Sequence, residues 1–154
     1  MTNGFYTKPV AMSSLTDDWS TPKDFYTSLS KEFPFELDPA ADSNNHKTKL
    51  WYGLDHTDPA RRDGLSASWL SDVGLGGWVF MNPPYGRTIK QWMQKANEEN
   101  KLGVKVVCLV PSRTDTAWFQ DYAINHEVRF VRGRLKFGSS KKDAPFPSCV
   151  VVMR

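Results

Sequence analysis

Cysteine and histidine are scarce in this 154-residue chain, and neither falls in a pattern that holds metal. The two cysteines, Cys108 and Cys149, each lie inside an aliphatic or β-branched run, where a thiol packs as a small hydrophobe. The three histidines, His46, His56 and His126, are scattered, so neither a zinc site nor any other metal site is expected. Long apolar runs are also missing: none approaches the ~18 residues of a membrane helix, which excludes a bilayer span of that kind. The stretch from Met1 to Ser14 is polar and lacks the apolar core and cleavage site of a secretory signal, so the chain is read as cytoplasmic. Glycine is thin at the front, with no glycine between Gly4 and Gly53. Charge is close to balanced, with 20 basic against 17 acidic side chains, which permits an anionic partner without demanding one.

What is present is enough for one core. A chain of this length buries about two-thirds of its unfolded surface, so residues 19–154 are expected to form a single domain behind a flexible segment 1–18. Thr21-Pro22-Lys23-Asp24 predicts a helix start, with Thr21 as cap, Pro22 at the first helical position and Asp24 in a capping-box role. Phe35-Glu36-Leu37-Asp38 predicts a short strand stopped at Pro39, and Trp78-Val79-Phe80-Met81 predicts another, stopped at Asn82-Pro83-Pro84. Thr88 is expected to cap a helix in which Ile89, Trp92, Met93 and Ala96 recur at helical spacing, ending near Gly103. Val104 to Val110 reads as a strand buried on both faces, followed by a helix from about Asp115 to Ile124 and by strands at 127–131 and 149–153. The stretch from Asp42 to Asp72 carries few periodic signals. Strands alternating with helices predict an α/β, doubly wound, mostly parallel sheet. Such sheets bind ligands beyond the carboxyl ends of their strands, so Asp38, Asn82 and Pro111-Ser112-Arg113 are expected to meet in one cleft.

Asn82-Pro83-Pro84-Tyr85 sets an amide, a backbone carbonyl of restricted geometry and an aromatic ring at the tip of a buried strand. Methylation of an adenine amino group calls for such parts. The lone pair of that nitrogen is delocalised into the ring, and two acceptors aimed at its two protons localise it toward a methyl donor. The Asn82 side-chain oxygen and the Pro83 carbonyl can be those acceptors, while Tyr85 can stack on a base flipped out of the duplex. A second signal is the run from Arg129 to Lys142, where Arg129, Arg132, Arg134, Lys136, Lys141 and Lys142 occur without an acid, interleaved with Phe130 and Phe137. It is read as a strip that faces nucleic acid, against the alternative of a solvated face.

These residues resemble the Asn-Pro-Pro-Tyr amino-methyltransferases, and more closely the phage and prophage family of DNA N6-adenine methyltransferases. The matching pieces are Trp19-Ser20-Thr21-Pro22, Leu37-Asp38-Pro39-Ala40-Ala41, Asp63-Gly64-Leu65 with Trp69, Asn82-Pro83-Pro84-Tyr85-Gly86, Pro111-Ser112-Arg113-Thr114-Asp115 with Trp118, Gly133-Arg134-Leu135-Lys136-Phe137-Gly138, and Ala144-Pro145-Phe146-Pro147-Ser148. The resemblance implies a sheet of the class I S-adenosylmethionine-dependent methyltransferase type, S-adenosylmethionine as methyl donor, and double-stranded DNA as partner. It also implies site-specific transfer by direct displacement on a flipped adenine. Residue by residue, it implies Asn82, Pro83 and Tyr85 as catalytic, with Thr21, Asp38, Ala40 and Asp63 at the donor. Within that set Asp38 meets the donor's ammonium group, Thr21 its carboxylate and Asp63 its adenine, with Asp55 and Asp58 as alternatives to Asp63. Arg113, Arg132, Arg134 and Lys136 are the expected DNA contacts. The chain departs from many donor-binding methyltransferases in following its first strand with Asp38-Pro39-Ala40-Ala41-Asp42-Ser43-Asn44, a loop without glycine.

Rival readings share the motif: methylation of RNA or of a protein glutamine, or a nucleic-acid-binding module that keeps the fold without the activity. Cytosine ring methylation is disfavoured because it needs a cysteine nucleophile in a loop, and Cys108 falls in a predicted strand.

Overall fold

A computed structural model describes residues 20–138 and 142–154. Trp19 and Lys141, which figure in the sequence reading, and the segment expected to be flexible lie outside the described residues. The elements run α1 (Lys23–Glu32), β1 (Phe35–Asp38), β2 (Leu50–Trp51), a single 3-10 turn at Pro59–Arg61, α2 (Trp69–Val73), β3 (Trp78–Met81), α3 (Ile89–Lys101), β4 (Lys105–Pro111), α4 (Ala117–Tyr122), β5 (Glu127–Phe130) and β6 (Ser148–Met153). The strands make one sheet in the order β2-β1-β3-β4-β6-β5.

The sheet is mixed. The pairs β1 with β2, β1 with β3, and β3 with β4 are parallel, whereas β6 runs antiparallel to both β4 and β5. Only β6 is reversed, and among the described residues between β5 and β6 no helix occurs. The segment 131–147 leaves and returns at the same edge of the sheet, as an antiparallel connection must. The expectation of a mostly parallel α/β sheet therefore holds with that strand as its exception.

Strict alternation along the central strands sends side chains to two cores. Val79, Met81, Val106, Cys108, Val110, Cys149, Val151 and Met153 face one side, where Trp69 of α2, Trp92 of α3 and Trp118 of α4 cover them. Phe80, Val107, Leu109, Val150 and Val152 face the other. That second face is roofed by α1, through Phe25, Tyr26 and Leu29, and by the segment 131–147, through Leu135, Phe137, Ala144 and Phe146. Full burial of one such side chain stabilises by roughly 1.5–3 kcal/mol, so the segment is held by its aromatics as firmly as a helix is by its stripe. Each cysteine is a free thiol inside the sheet. Among the described residues no helix is long and apolar enough to cross a membrane, and no cluster of three potential metal ligands occurs.

Two helix starts differ from the expected caps. Pro22, rather than Thr21, occupies the cap of α1, with no side-chain hydrogen bond to the helix, so neither the Thr21 cap nor the Asp24 capping box forms. Thr88 sits at the cap of α3 but in a helical conformation, which turns its hydroxyl away from the first free N–H groups. By contrast Thr116, Ser68 and Asp58 do cap, accepting from Phe119 N, Ser71 N and Ala60 N respectively.

Candidate active site at the carboxyl edge of the sheet

Because β1, β3 and β4 run in parallel, Asp38, Asn82 and Ser112-Arg113 emerge at one edge of the sheet. β5 runs the same way as β4, both being antiparallel to β6, so the segment 131–147 begins at this edge and ends at it. The Ser112 N–H donates to the Pro147 carbonyl at 2.9 Å and ties the two strand ends together. The expected convergence of three strand ends therefore gains a fourth element, the basic segment.

Asn82 is fixed at both ends of its amide. Its Nδ2 donates to Thr21 Oγ1 at 3.0 Å, and its Oδ1 accepts from the Tyr85 hydroxyl at 2.8 Å. This is where the Thr21 hydroxyl goes instead of capping α1. Thr21 is 5% exposed, so the contact is made in a setting where losing a partner is costly. The Tyr85 hydroxyl has a second acceptor, since the Leu109 carbonyl lies 3.2 Å from it. The Tyr85 ring meets Phe146 and Phe137 edge-on, with centroids 5.4 and 6.0 Å apart. Burial holds its phenol well above the ordinary range, so it stays a donor.

Asp38 is 4% exposed at the tip of β1. Its Oδ2 accepts from the Lys47 backbone N–H at 2.9 Å. Burial pushes its carboxyl up to about 6, while backbone N–H groups of Lys47 and Ala40 and the charges of Lys47 and His46 pull the other way. No cation lies within 4 Å of it in any ion pair among the described residues.

The loop after β1 obtains without glycine the rigidity that a Gly-rich loop takes from tight turns. Asp42 Oδ1 accepts from Asn44 N and Asn45 N at 2.8 Å each, and Asn45 Oδ1 accepts from Asp42 N at 2.8 Å. Asn45 Nδ2 then reaches Ser20 Oγ at 3.3 Å, closing the loop onto the start of α1. The close approaches that glycines allow are made from the facing backbone. A Cβ on Gly53 would sit 2.0 Å from the Ala41 carbonyl oxygen, and one on Gly64 would sit 2.1 Å from that of Pro39. Asp63-Gly64-Leu65 is thereby held against the end of β1.

Of the three acids weighed for the donor's adenine, Asp55 is engaged by Ser43, whose N–H and hydroxyl both donate to its carboxylate, and Asp58 caps the 3-10 turn. Asp63 is exposed, and its Oδ1 accepts from Leu65 N at 3.0 Å. Ala40 is half-buried beside Asp38. Arg113, Arg132, Arg134 and Lys136 are exposed.

The segment from Arg129 to Lys142 is less bare of acids in space than in sequence. Arg129 forms a two-pronged pair with Glu32 at 2.6 and 2.7 Å and also contacts Glu127, so it belongs to the sheet edge. Lys136 Nζ lies 2.5 Å from Asp143. Arg134 donates to the Ala144 carbonyl at 3.2 Å, and Phe137 is buried at 2% exposure whereas Phe130 is 67% exposed.

Sequence reasoning missed two groups here. Lys47 was concealed in the aperiodic stretch. Glu99, which lies outside the apolar stripe of its helix, is 3% exposed and accepts from Trp69 N at 3.2 Å, Leu70 N at 3.0 Å and Lys95 Nζ at 2.8 Å. Only its neighbour Lys95, four residues earlier at ion-pair spacing, hinted at it.

A family model described as DNA N-6-adenine-methyltransferase (Dam) matches residues 9–151. A comparison with curated proteins gave no match.

Proposed function

The chain belongs to the DNA N-6-adenine-methyltransferase (Dam) family, and on that premise we propose that it transfers a methyl group from S-adenosylmethionine to the amino nitrogen of an adenine flipped out of double-stranded DNA, in a site-specific manner. The observation that carries this reading is the chain Thr21–Asn82–Tyr85. Thr21 takes the amide nitrogen of Asn82, which leaves Oδ1 as the group presented to a substrate. An acceptor fixed before the base arrives costs no reorganisation when charge develops on the amino nitrogen.

The sheet, with its reversed β6 between β4 and β5, fits the class I type implied by the resemblance. Asp38, buried and without an ion pair within 4 Å among the described residues, fits a ligand that brings a positive group to the end of β1. Thr21, Ala40 and Asp63 complete the proposed donor site. When bound, S-adenosylmethionine supplies an electrophilic methyl group on a sulfonium.

The residues of the chain then act on the base. Asn82 Oδ1 and the Pro83 carbonyl accept hydrogen bonds from the two amino N–H groups and turn the nitrogen lone pair toward the donor, and the one proton that the methylated nitrogen sheds passes to solvent. Oδ1 has a second lone pair for an amino N–H while it keeps the Tyr85 hydroxyl, for which the Leu109 carbonyl, 3.2 Å away, is a further acceptor. The Tyr85 ring offers a stacking surface to the base, backed by Phe137 and Phe146. Arg113, Arg132, Arg134 and Lys136 bind phosphates around the opening.

Labelled S-adenosylmethionine incubated with DNA, RNA and protein, followed by identification of the modified group, tests the reaction. N6-methyladenine in DNA is the expected product; label in RNA or a protein glutamine, or none at all, contradicts it. In single turnover, Asn82→Ala should lower the chemical rate at least a hundredfold while DNA affinity changes little, the signature of an interaction made in the transition state. A rate near wild type would reduce the motif to a turn.

A further inference from the structure

The cleft at the end of β1 holds charges of both signs that do not satisfy one another. Asp38 is buried and receives backbone N–H groups only. Lys47 is half-buried, its backbone pinned to Asp38 by the 2.9 Å bond, yet its ammonium makes no ion pair within 4 Å among the described residues. Burial lowers the Lys47 pKa, Asp38 raises it, and the neighbouring Lys23 at the start of α1 lowers it again. Asp38 and Lys47 act on each other only at longer range, and among the described residues neither they nor Lys23 has an ion pair within 4 Å.

A lone phosphate would answer the lysines and oppose Asp38, and a lone amine would do the reverse. One small group answers both, an α-amino acid head, whose ammonium and carboxylate stand on the same carbon. We propose that Asp38 and Lys47, with Lys23 behind it, form a receptor for such a zwitterion, Asp38 taking the ammonium and Lys47 the carboxylate. This rests on the reading of the site as one for S-adenosylmethionine. It makes Lys47 the charged partner of the donor carboxylate, to which the Thr21 hydroxyl adds a neutral hydrogen bond. The Asp42–Asn45 turn sets the separation, because it delivers the Lys47 backbone onto Asp38 and so fixes the base of the lysine stem.

Three probes that share the thioether nucleoside separate the charges: S-adenosylhomocysteine carries both, decarboxylated S-adenosylhomocysteine keeps the ammonium alone, and 5′-methylthioadenosine carries neither. Calorimetry with the full chain at pH 8 should show Lys47→Met weakening S-adenosylhomocysteine at least tenfold, with the other two within twofold of wild type. Lys47→Arg should recover most of the loss, and a thermal melt of each variant reports folding. Equal weakening of all three probes would mean that Lys47 only shapes the loop, and unchanged S-adenosylhomocysteine affinity would mean that it touches no carboxylate; either overturns the proposal. Wild-type protein that binds none of the probes would overturn the donor reading itself, an outcome distinct from a wild type that binds all of them beside an indifferent variant.

Discussion

Two carboxylates in this molecule are almost equally buried, Glu99 at 3% and Asp38 at 4% exposure, and they sit in opposite circumstances. Glu99, reaching from α3 to the amino end of α2, has two backbone donors and the Lys95 ammonium. It is complete within the fold. Asp38, at the tip of β1, has backbone donors and, among the described residues, no ion pair within 4 Å, and burial lifts its carboxyl to about 6. A buried charge that the fold alone would leave better off neutral is what the proposed ligand role of Asp38 rests on. The contrast divides structure from function more cleanly than burial does, since burial alone treats the two alike.

Substitution should separate them by sign. The largest effect expected is at Glu99: Glu99→Ala leaves two buried N–H groups at the start of α2 and the Lys95 ammonium without their acceptor, and should destabilise by about 3–5 kcal/mol in urea unfolding. A loss under 1 kcal/mol would erase the distinction.

Gly64→Ala should come next, because its Cβ would meet the Pro39 carbonyl at 2.1 Å and push the end of β1 away from Asp63. A cost of about 2 kcal/mol or more is expected from the backbone shift. Unchanged stability would show that the loop after β1 is not held from this side.

Asp38 should respond in the opposite direction. Its folded pKa of about 6 lies above the ordinary 3.8, so the folded chain retains a proton that the unfolded chain releases between about pH 4 and 6. Stability is then lost as pH rises through that window; the cost is absent below it and complete above it. A shift of this size corresponds to about 3 kcal/mol at most. Asp38→Asn should therefore flatten the dependence and gain about 1–2 kcal/mol at pH 8, less than the full amount because an amide oxygen accepts more weakly from the Lys47 N–H. Urea midpoints of both proteins from pH 4 to 8 check it.

The smallest effect concerns the basic segment. Neutralising Arg134 and Lys136 together should reduce the slope of log K for DNA against log salt by up to about two, equally for all sequences. Pairing of Lys136 with Asp143 makes a reduction nearer one the better expectation, since that lysine is already partly neutralised. An unaltered slope would leave the segment as the roof that Phe137 and Phe146 make it.

Much of the site's position was legible in the sequence because short apolar runs stopped by proline mark strand ends, and Asp38, Asn82 and Pro111 each stand at one. The direction of β6 was not, since an apolar run shows that a strand is buried but not which way it runs. The region 42–72 resisted for a different reason. It is built from contacts between side chains and backbone, as in Asp42 with Asn45, Ser43 with Asp55 and Asp63 with Leu65, and these leave no period. Glu99 gave no signal of its own and the Thr21 cap did not form because their partners lie 29–30 and 61 residues away, and an N-cap pattern at Thr21 is locally as good as the contact it makes.

The central claim is that Asp38 serves a ligand at the expense of the fold. The measurement that tests it most directly is a paired one on Asp38→Asn at pH 8: unfolding free energy by urea and S-adenosylhomocysteine affinity by calorimetry. The account predicts a protein more stable than wild type that binds at least tenfold more weakly. A variant that is less stable and binds as well as wild type would contradict it.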